Sequence, residues 1–374
     1  MPEKLNRWDV AVIGGGIAGS AAAARLAQAG RKVVLLEKEA AAHDKVCGEF
    51  ISIDAQRDLH ELGLDLITLG AARISNLRLM RSNRTVTSRL PFQALSLSRR
   101  VLDDSLLRRA EACGARIQRG ATVTVATKEP SGWWRIEIAG HAPLLAETVF
   151  LATGKNDLHG WHRPSGLQND LVGFKLHVRL TPHQRKRVDD HIGLFLFNGG
   201  YGGLEPVEEE KANLCLVVTK HQLIRYGKSW DQLFKNILEA TPPLADQLAG
   251  AEPCWPRPYS IFGIPYGFVH RANSHTPTTL YRLGDQMAVI PSFSGYGISL
   301  ALYTARMAVQ RYLQSDDVTY HDQARRDLLP LIRRASLLSK SATFPMVQHS
   351  MFSLCRLWPE FMTVIASHTR LKTG

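Results

Sequence analysis

The chain predicts an α/β fold: a Rossmann-like domain carries an inserted β-rich domain and ends in a helical C-terminal region. Three observations lead there. Residues 8–37 read as strand, glycine turn, helix, strand and acid, in that order. From about 171 the pattern changes to apolar strands separated by turns. From about 318 onward it is mostly helical.

Trp8 to Ile13 is an apolar strand running into Gly14-x-Gly16-x-x-Gly19. Ala21, Ala22, Ala23, Ala24 and Leu26 make the helix, which Gly30 closes. The strand 32–36 ends at Glu37. Gly14 allows the tight turn, Gly16 lets backbone approach a pyrophosphate, and Gly19 lets helix and strand pack closely. The helix N-terminus then faces phosphate with its positive end. Glu37 stands where a carboxylate accepts hydrogen bonds from ribose hydroxyls.

A loop from 38 to 50 follows, then a helix from near Ser52. Ile74, Leu77, Leu79 and Val86 alternate with polar residues, predicting a hairpin over 73–90. Ser98 is a suitable N-cap for a helix over 99–113, stopped by Gly114. Residues 115–138 form short strands, and 148–152 form a buried strand ending in Thr153 and Gly154. Strands are expected at 171–178, 192–197 and 212–218, with two helical pieces between 221 and 248. Residues 280–283 form a short strand leading into Gly284-Asp285, and 298–313 a helix. The expected division is 1–170 with 269–320 for the nucleotide-binding domain, 171–268 for the β-rich substrate domain, and 321–374 for the helical region.

Composition narrows the function classes. The 374 residues carry a net charge of +12. That charge suits an anionic membrane face or a cofactor with two phosphates. No nucleic-acid-binding motif accompanies it, so nucleic acid is not an expected partner. Residues 1–4 lead straight toward the first strand without a signal-peptide pattern, and no apolar run reaches membrane-spanning length. Cys47, Cys113, Cys215, Cys254 and Cys355 lack framework spacing, which fits reduced thiols in the cytoplasm. The histidines show no metal-ligand spacing, so no metal is expected.

Three blocks carry a family resemblance. The fingerprint extends as Gly14-x-Gly16-x-x-Gly19-x-x-x-Ala23-x-x-Leu26-x-x-x-Gly30 to Glu37. The second block is Arg99-Arg100-Val101-Leu102-Asp103-x-x-Leu106. The third is Gly284-Asp285 followed by Pro291-Ser292-Phe293-Ser294-Gly295-Tyr296-Gly297-Ile298. Together they resemble the para-hydroxybenzoate-hydroxylase-like superfamily, which includes aromatic monooxygenases, flavin halogenases and geranylgeranyl reductases. The resemblance implies bound FAD, held by Gly14, Gly16, Ala18, Gly19, Glu37, Lys38, Lys45, Arg99, Thr153, Gly154, Asp285, Pro291, Gly295, Gly297 and Ile298. In that family the Asp bonds the ribitol and the glycine turn offers backbone N–H groups to the flavin. Such donors favour a reduced, negatively charged ring.

Lys45-Val46-Cys47-Gly48-Glu49-Phe50 resembles the Lys-x-Cys-Gly-Gly loop of geranylgeranyl reductases, with Glu49 in place of the second glycine. The catalytic candidates are therefore Cys47 and Glu49. Cys47 is a proton donor or a small packing residue; Glu49 orients substrate or pairs with Lys45. The Asp-Gly motif of NADPH-using hydroxylases is absent after the strand at 148–152, and the halogenase Trp-x-Trp-x-Ile-Pro motif is absent too. The electron donor is left open between NAD(P)H and a carrier protein. Phe197, Tyr201, Tyr266 and Phe293 are expected to line an apolar substrate cavity, although the aromatics near 195–206 equally suit a core. The C-terminal region is either a packing helix pair or an amphipathic edge that admits lipid. The expected function is FAD-dependent reduction or dehydrogenation of a carbon–carbon bond in a prenyl-lipid-like, polyketide or phenolic substrate. The alternatives are flavin-dependent hydroxylation and a non-catalytic FAD-stabilised binding protein.

Overall fold

The computed structural model describes residues 6–315, 320–363 and 370. The N-terminal segment 1–4 and part of the predicted C-terminal helical region lie outside these residues.

The first sheet is mixed. Arg116–Arg119, Val33–Glu37, Arg7–Ile13, His141–Leu151 and Leu280–Arg282 run parallel. Trp134–Ile138 and Val123–Lys128 add an antiparallel meander beside His141–Leu151. The long strand His141–Leu151 serves both sets. Its first half pairs with the meander, and Val149 near its C-terminal end lies opposite Leu280.

The period of two divides the apolar residues between two cores. Val10, Val12, Val33 and Leu35 pack under helices, whereas Ala11, Ile13, Val34 and Leu36 pack with Trp134 and Ile136. Helix Ile17–Gln28 is buried over most of its surface and contacts both Arg99–Ala112 and Gly297–Leu313. That is why its run of alanines is not a surface stripe: small side chains let three helices approach one another.

The second sheet has the order Glu252–Pro253, Leu171–Arg179, Lys211–Thr219, Gly200–Pro206, Asp190–Phe197, Ala72–Arg81, Arg84–Ser96, Phe50–Ile51. Tyr259–Phe262 also pairs with Leu171–Arg179. The junction Asp190–Phe197 with Ala72–Arg81 is parallel. The hairpin expected near 73–90 is therefore longer than the alternation shows, and it belongs to this sheet. The sheet is not confined to 171–268; it draws residues 50–51 and 72–96 from the first stretch of chain. Alternation marks a strand, not which sheet it joins.

Helices Pro182–Val188, Trp230–Ala240 and Pro242–Leu248 cover one face of the second sheet, where Phe195 and Phe197 are buried. The other face carries Leu194, Leu196, Tyr201 and Val217, grouped with Phe352, Cys355 and Met362 from the C-terminal segment. This face looks into the candidate site.

Candidate active site

At the nucleotide-binding end the three glycines do different things. Gly14 has φ +106°, and a Cβ there would lie 2.4 Å from the Ala152 carbonyl oxygen. A Cβ on Gly19 would lie 1.9 Å from the Gly14 carbonyl oxygen. Gly16 is the N-cap of helix Ile17–Gln28, with no side chain capping it. A Cβ on Gly16 would face Arg99 Nη2 and Lys45 Nζ, each at 3.7 Å.

The two cations share one acid. Lys45 Nζ is 2.8 Å from Asp103 Oδ2, and Arg99 bonds both oxygens of the same carboxylate at 2.8 and 2.9 Å. Burial works to raise the Asp103 carboxyl, but Arg99 and Lys45 outweigh it and hold it below its ordinary value. Burial likewise opposes the charged Arg99, and Asp103 reverses that effect. Two positive charges against one negative leave an excess cation beside an uncapped helix N-terminus. That combination fits a pyrophosphate.

The second strand ends as the motif requires. Both Glu37 oxygens take backbone donors: Gly15 N–H at 2.6 Å and Glu39 N–H at 3.0 Å. The carboxylate is thereby aimed, with lone pairs remaining for ribose hydroxyls. Lys38 points outward and pairs with Glu39 at 3.4 Å. Ala18 packs against Gly284, where an added Cβ would meet it at 3.3 Å.

The third block forms a second open helix N-terminus. Pro291 leads into a short turn, Ser292–Ser294, and Gly295 has φ +61° against the Phe50 ring. Helix Gly297–Leu313 begins without a side-chain cap, and a Cβ on Gly297 would meet nothing within 4 Å. Ile298 behind it is buried. The free N–H groups of this first turn suit the electron-rich edge of a flavin.

Residues 153–157 and 285 are held in place by neighbours absent from the sequence reading. Thr153 Oγ1 donates to the Asn156 carbonyl at 2.6 Å. Gln286 Nε2 donates to the Gly154 carbonyl at 2.9 Å. Arg163 bonds the Asp157 carboxylate at 2.6 Å and the Asp285 carbonyl at 2.9 Å. The sequence gives no spacing signal for Arg163, which approaches from a loop.

Around Cys47 and Glu49 the structure shows a buried polar cluster. Glu49 does not pair with Lys45. Its Oε1 accepts from Arg99 N–H at 2.7 Å and from the Lys175 ammonium. His177 Nε2 lies 2.7 Å from Glu49 Oε2, and Asp44 is 3.4 Å from Lys175. Burial pushes the Glu49 carboxyl up, but Lys175 and His177 outweigh it and leave it below normal. Burial pulls the Lys175 ammonium down, while Glu49 and Asp44 more than restore it. Asp44, Glu49 and His177 each offer a ligand atom within 4.8 Å of the others, yet Lys175 already places a positive charge among them.

Cys47 Sγ accepts weakly from Glu49 N–H at 3.4 Å, and its carbonyl accepts from Asn213 Nδ2 at 3.1 Å. Lys175 and His177, at i and i+2 of an apolar strand, were the legible trace of this cluster. Register supplies the rest: Lys175 faces Cys215, His177 faces Asn213, and Asn213 faces Glu205.

Beside this cluster opens a largely apolar cavity. Leu77, Leu79, Leu90, Phe92, Ile192 and Leu194 supply much of its wall, with Met351 and Met362 from the C-terminal segment. Gly48 and the stretch 292–295 form the side toward the glycine turns.

Of the four expected lining residues, Tyr201 and Phe293 reach the cavity and stack edge-to-face at 5.1 Å. Phe197 does not. Strand alternation turns Phe195 and Phe197 to the opposite face, where they stack in the core under the helical cap. Tyr266 stands behind the wall, and its hydroxyl donates to Ser292 Oγ at 3.2 Å. Glu205, Asn213 and Cys215, unforeseen from the sequence, are at the cavity wall.

Comparison with known proteins agrees with this architecture. Residues 9–48 match the family described as FAD dependent oxidoreductase. The menaquinone reductase of Mycobacterium tuberculosis is 26% identical over 81% of this chain and 76% of its own. The digeranylgeranylglycerophospholipid reductase of Methanoculleus marisnigri is 25% identical over 87% of this chain and 81% of its own. The solved flavin-dependent brominase Bmp2 superposes with a TM-score of 0.79 at 17% identity, covering 97% of this chain and 93% of that one. The nucleotide-binding segment, the relatives and the fold all point one way: the chain is an FAD-dependent oxidoreductase of the para-hydroxybenzoate-hydroxylase-like fold.

Proposed function

We propose that the enzyme reduces or dehydrogenates a carbon–carbon bond in a prenyl-lipid-like substrate bound in the cavity beside Cys47. One observation carries this reading. The cavity is walled by leucine, isoleucine, phenylalanine and methionine, and its inner side is formed by Gly48 and the stretch 292–295. An apolar molecule gains about 25 cal/mol per Å² of surface buried in such a wall. The two relatives named as reductases of a menaquinone and a prenylated glycerophospholipid support the same substrate class.

In this reading the Arg99–Lys45–Asp103 cradle and the Gly16 helix hold the pyrophosphate, Glu37 holds the ribose, and Asp285 with Gly295, Gly297 and Ile298 surrounds the ring and ribitol. Bound there, FAD supplies a two-electron carrier that exchanges hydride with carbon. The chain's residues orient the substrate and exclude water. Cys47, at the seam between cradle and cavity, is the proton donor to the reduced carbon.

The test is anaerobic. The dithionite-reduced enzyme is mixed with a prenylated quinone or a geranylgeranyl lipid, and reoxidation is followed by flavin absorbance. Reoxidation with a saturated product supports the proposal. Turnover only with oxygen, giving a hydroxylated product, replaces it with the monooxygenase reading. Cys47→Ala should slow product formation while flavin content is retained.

We further propose that the C-terminal segment rests on an anionic membrane. Leu337, Met346, Leu357 and Trp358 are exposed, and Arg333, Arg334, Lys340 and Arg356 lie on the same helices. Met351 and Met362 of that segment reach the cavity, so lipid could enter from this side. Flotation with phosphatidylglycerol vesicles, against phosphatidylcholine vesicles as control, tests it. Equal recovery with both rejects an anionic surface. Among the described residues no helix is long and apolar enough to cross a membrane.

A further inference from the structure

The cavity wall is apolar almost throughout, and its exceptions are informative. Glu205 is 2% exposed and Asn213 1% exposed, yet both line the cavity. Glu205 Oε2 and Asn213 Oδ1 have no hydrogen-bond partner among the described residues. A buried polar atom without a partner has lost its water and gained nothing in return. Two adjacent ones, paired across neighbouring strands at the wall of a cavity, have the form of a site that a ligand completes.

The protonation state of Glu205 follows from its surroundings. Burial raises its carboxyl well above the ordinary value, and the negative charge of Glu49 adds to this. Lys175 and Asn213 act the other way without reversing it. Cys215, on the far side of Asn213 along the strand, is also pushed up to about 12 by burial and stays a thiol. Glu205 is thus a neutral acid with an O–H to donate and Asn213 is fixed by its bond to the Cys47 carbonyl.

We propose that Glu205 and Asn213 form a recognition site for an oxygen-bearing head, a carbonyl or hydroxyl, on an otherwise apolar ligand. The Glu205 O–H donates to a carbonyl oxygen, and Asn213 Oδ1 accepts from a hydroxyl. A ligand lacking oxygen at that end leaves Glu205 Oε2 and Asn213 Oδ1 without a partner. This selects the orientation of the ligand as well as its class, because the rest of the wall offers mainly apolar contacts. The proposal rests on the apolar-substrate reading above and adds to it which end of the substrate meets the sheet.

The experiment uses the FAD-loaded, oxidised enzyme and two probes of one shape: duroquinone, with two carbonyls, and durene, with none. Dissociation constants are measured by calorimetry for the natural enzyme, Glu205→Leu and Glu205→Gln. Glu205→Leu should weaken duroquinone about tenfold or more, the loss of one hydrogen bond in a dry site. Durene should change by less than about twofold, since its contacts are apolar. Glu205→Gln should retain most of the duroquinone affinity, because the amide also donates. Glu205→Leu should also raise the melting temperature of the probe-free enzyme, by removing an unpaired polar group. A purely structural acid would give the opposite shift. Equal loss of both probes, or no loss of duroquinone, overturns the proposal while leaving the apolar cavity intact. Failure of both probes to bind the natural enzyme overturns the proposal and the apolar-substrate reading together.

Discussion

Gly16→Ala separates the cofactor cradle from the fold. At Gly16 the backbone is extended, with φ −77° and ψ −174°, a conformation alanine adopts freely. The added methyl would meet nothing nearer than Arg99 Nη2 and Lys45 Nζ at 3.7 Å. Alanine is a poorer N-cap than glycine, but it also lowers the entropy of the unfolded chain. These effects are each below about 1 kcal/mol and oppose one another, so the cofactor-free protein should melt within a few degrees of the natural one. The cradle is another matter. A phosphate oxygen bonded to either cation sits about 2.8 Å from the nitrogen, within the contact shell of that methyl. Displacing one charge-assisted hydrogen bond costs about 1.5–3 kcal/mol, so FAD should bind tenfold to a hundredfold more weakly. Gly19→Ala is the contrasting variant. Its methyl would lie 1.9 Å from the Gly14 carbonyl oxygen, and the βαβ unit itself should fail to pack. FAD affinity is read from the quenching of its fluorescence, and stability from calorimetry without cofactor. If Gly16→Ala binds FAD as tightly as the natural protein, the phosphate does not occupy this cradle. If it unfolds, Gly16 is a packing glycine.

Other variants probe the rest of the site. Lys175→Met leaves the buried Glu49 without its ammonium partner and should destabilise the fold by about 3–5 kcal/mol, measured by urea unfolding; a loss below about 1 kcal/mol would show that water reaches the cluster. Phe197→Ala should cost about 3–5 kcal/mol of stability with little effect on ligand affinity, whereas Leu194→Trp, on the alternate face, should block ligand with little loss of stability; calorimetric titration of the same probes distinguishes them. Burial pushes His321 down to about 4 and, aided by its neighbour His321, His270 down to about 3. Both bind fewer protons folded than unfolded, so stability should fall as pH drops below about 6.5, by about 2 kcal/mol per histidine at pH 5. His321→Gln should flatten that slope; an unchanged slope in the variant would assign the acid sensitivity elsewhere.

The nucleotide-binding half was legible because its rules are local. Gly14, Gly16 and Gly19 are three residues in a row of six, and strand, helix and acid flank them in sequence. Ser98 was readable as a cap, and its Oγ does accept from Val101 N–H at 3.3 Å. The second sheet was less legible because membership depends on distant pairing. Nothing near Ile74 says that Asp190 lies beside it. Phe197 was misplaced for a related reason. Glycines nearby suggested an open wall, but a period of two fixes its face only when the face of one neighbour is known. Glu205 and Asn213 were invisible for the same cause. They stand 8 residues apart in sequence and become neighbours through the hairpin register. Lys175 and His177 leave a clearer trace, two polar residues on one side of an apolar strand. Their partner Glu49 comes from another loop, and no spacing links them.

The loop that carries Cys47 shows how the two halves are joined, and why Glu49 replaces a glycine there. Glu49 has φ +62°, a left-handed backbone conformation that glycine adopts without strain. A glutamate there costs of order 1–3 kcal/mol. Against this stands the ion pair it makes. Glu49 bonds Lys175 and His177 of the second sheet and the N–H of Arg99, the first residue of a helix against the first sheet. With glycine, Lys175 would face Asp44 alone, and breaking a buried pair costs about 3–5 kcal/mol. The pair outweighs the strain wherever Lys175 is present, so the glutamate and the lysine make sense only together. Two residues away on the same loop, Cys47 is bonded to Asn213, and four away Lys45 is bonded to Asp103. The stretch 45–49 therefore touches the Arg99–Asp103 pair at one end and the cavity wall at the other. One strained residue and one buried ion pair hold the backbone of this stretch in place.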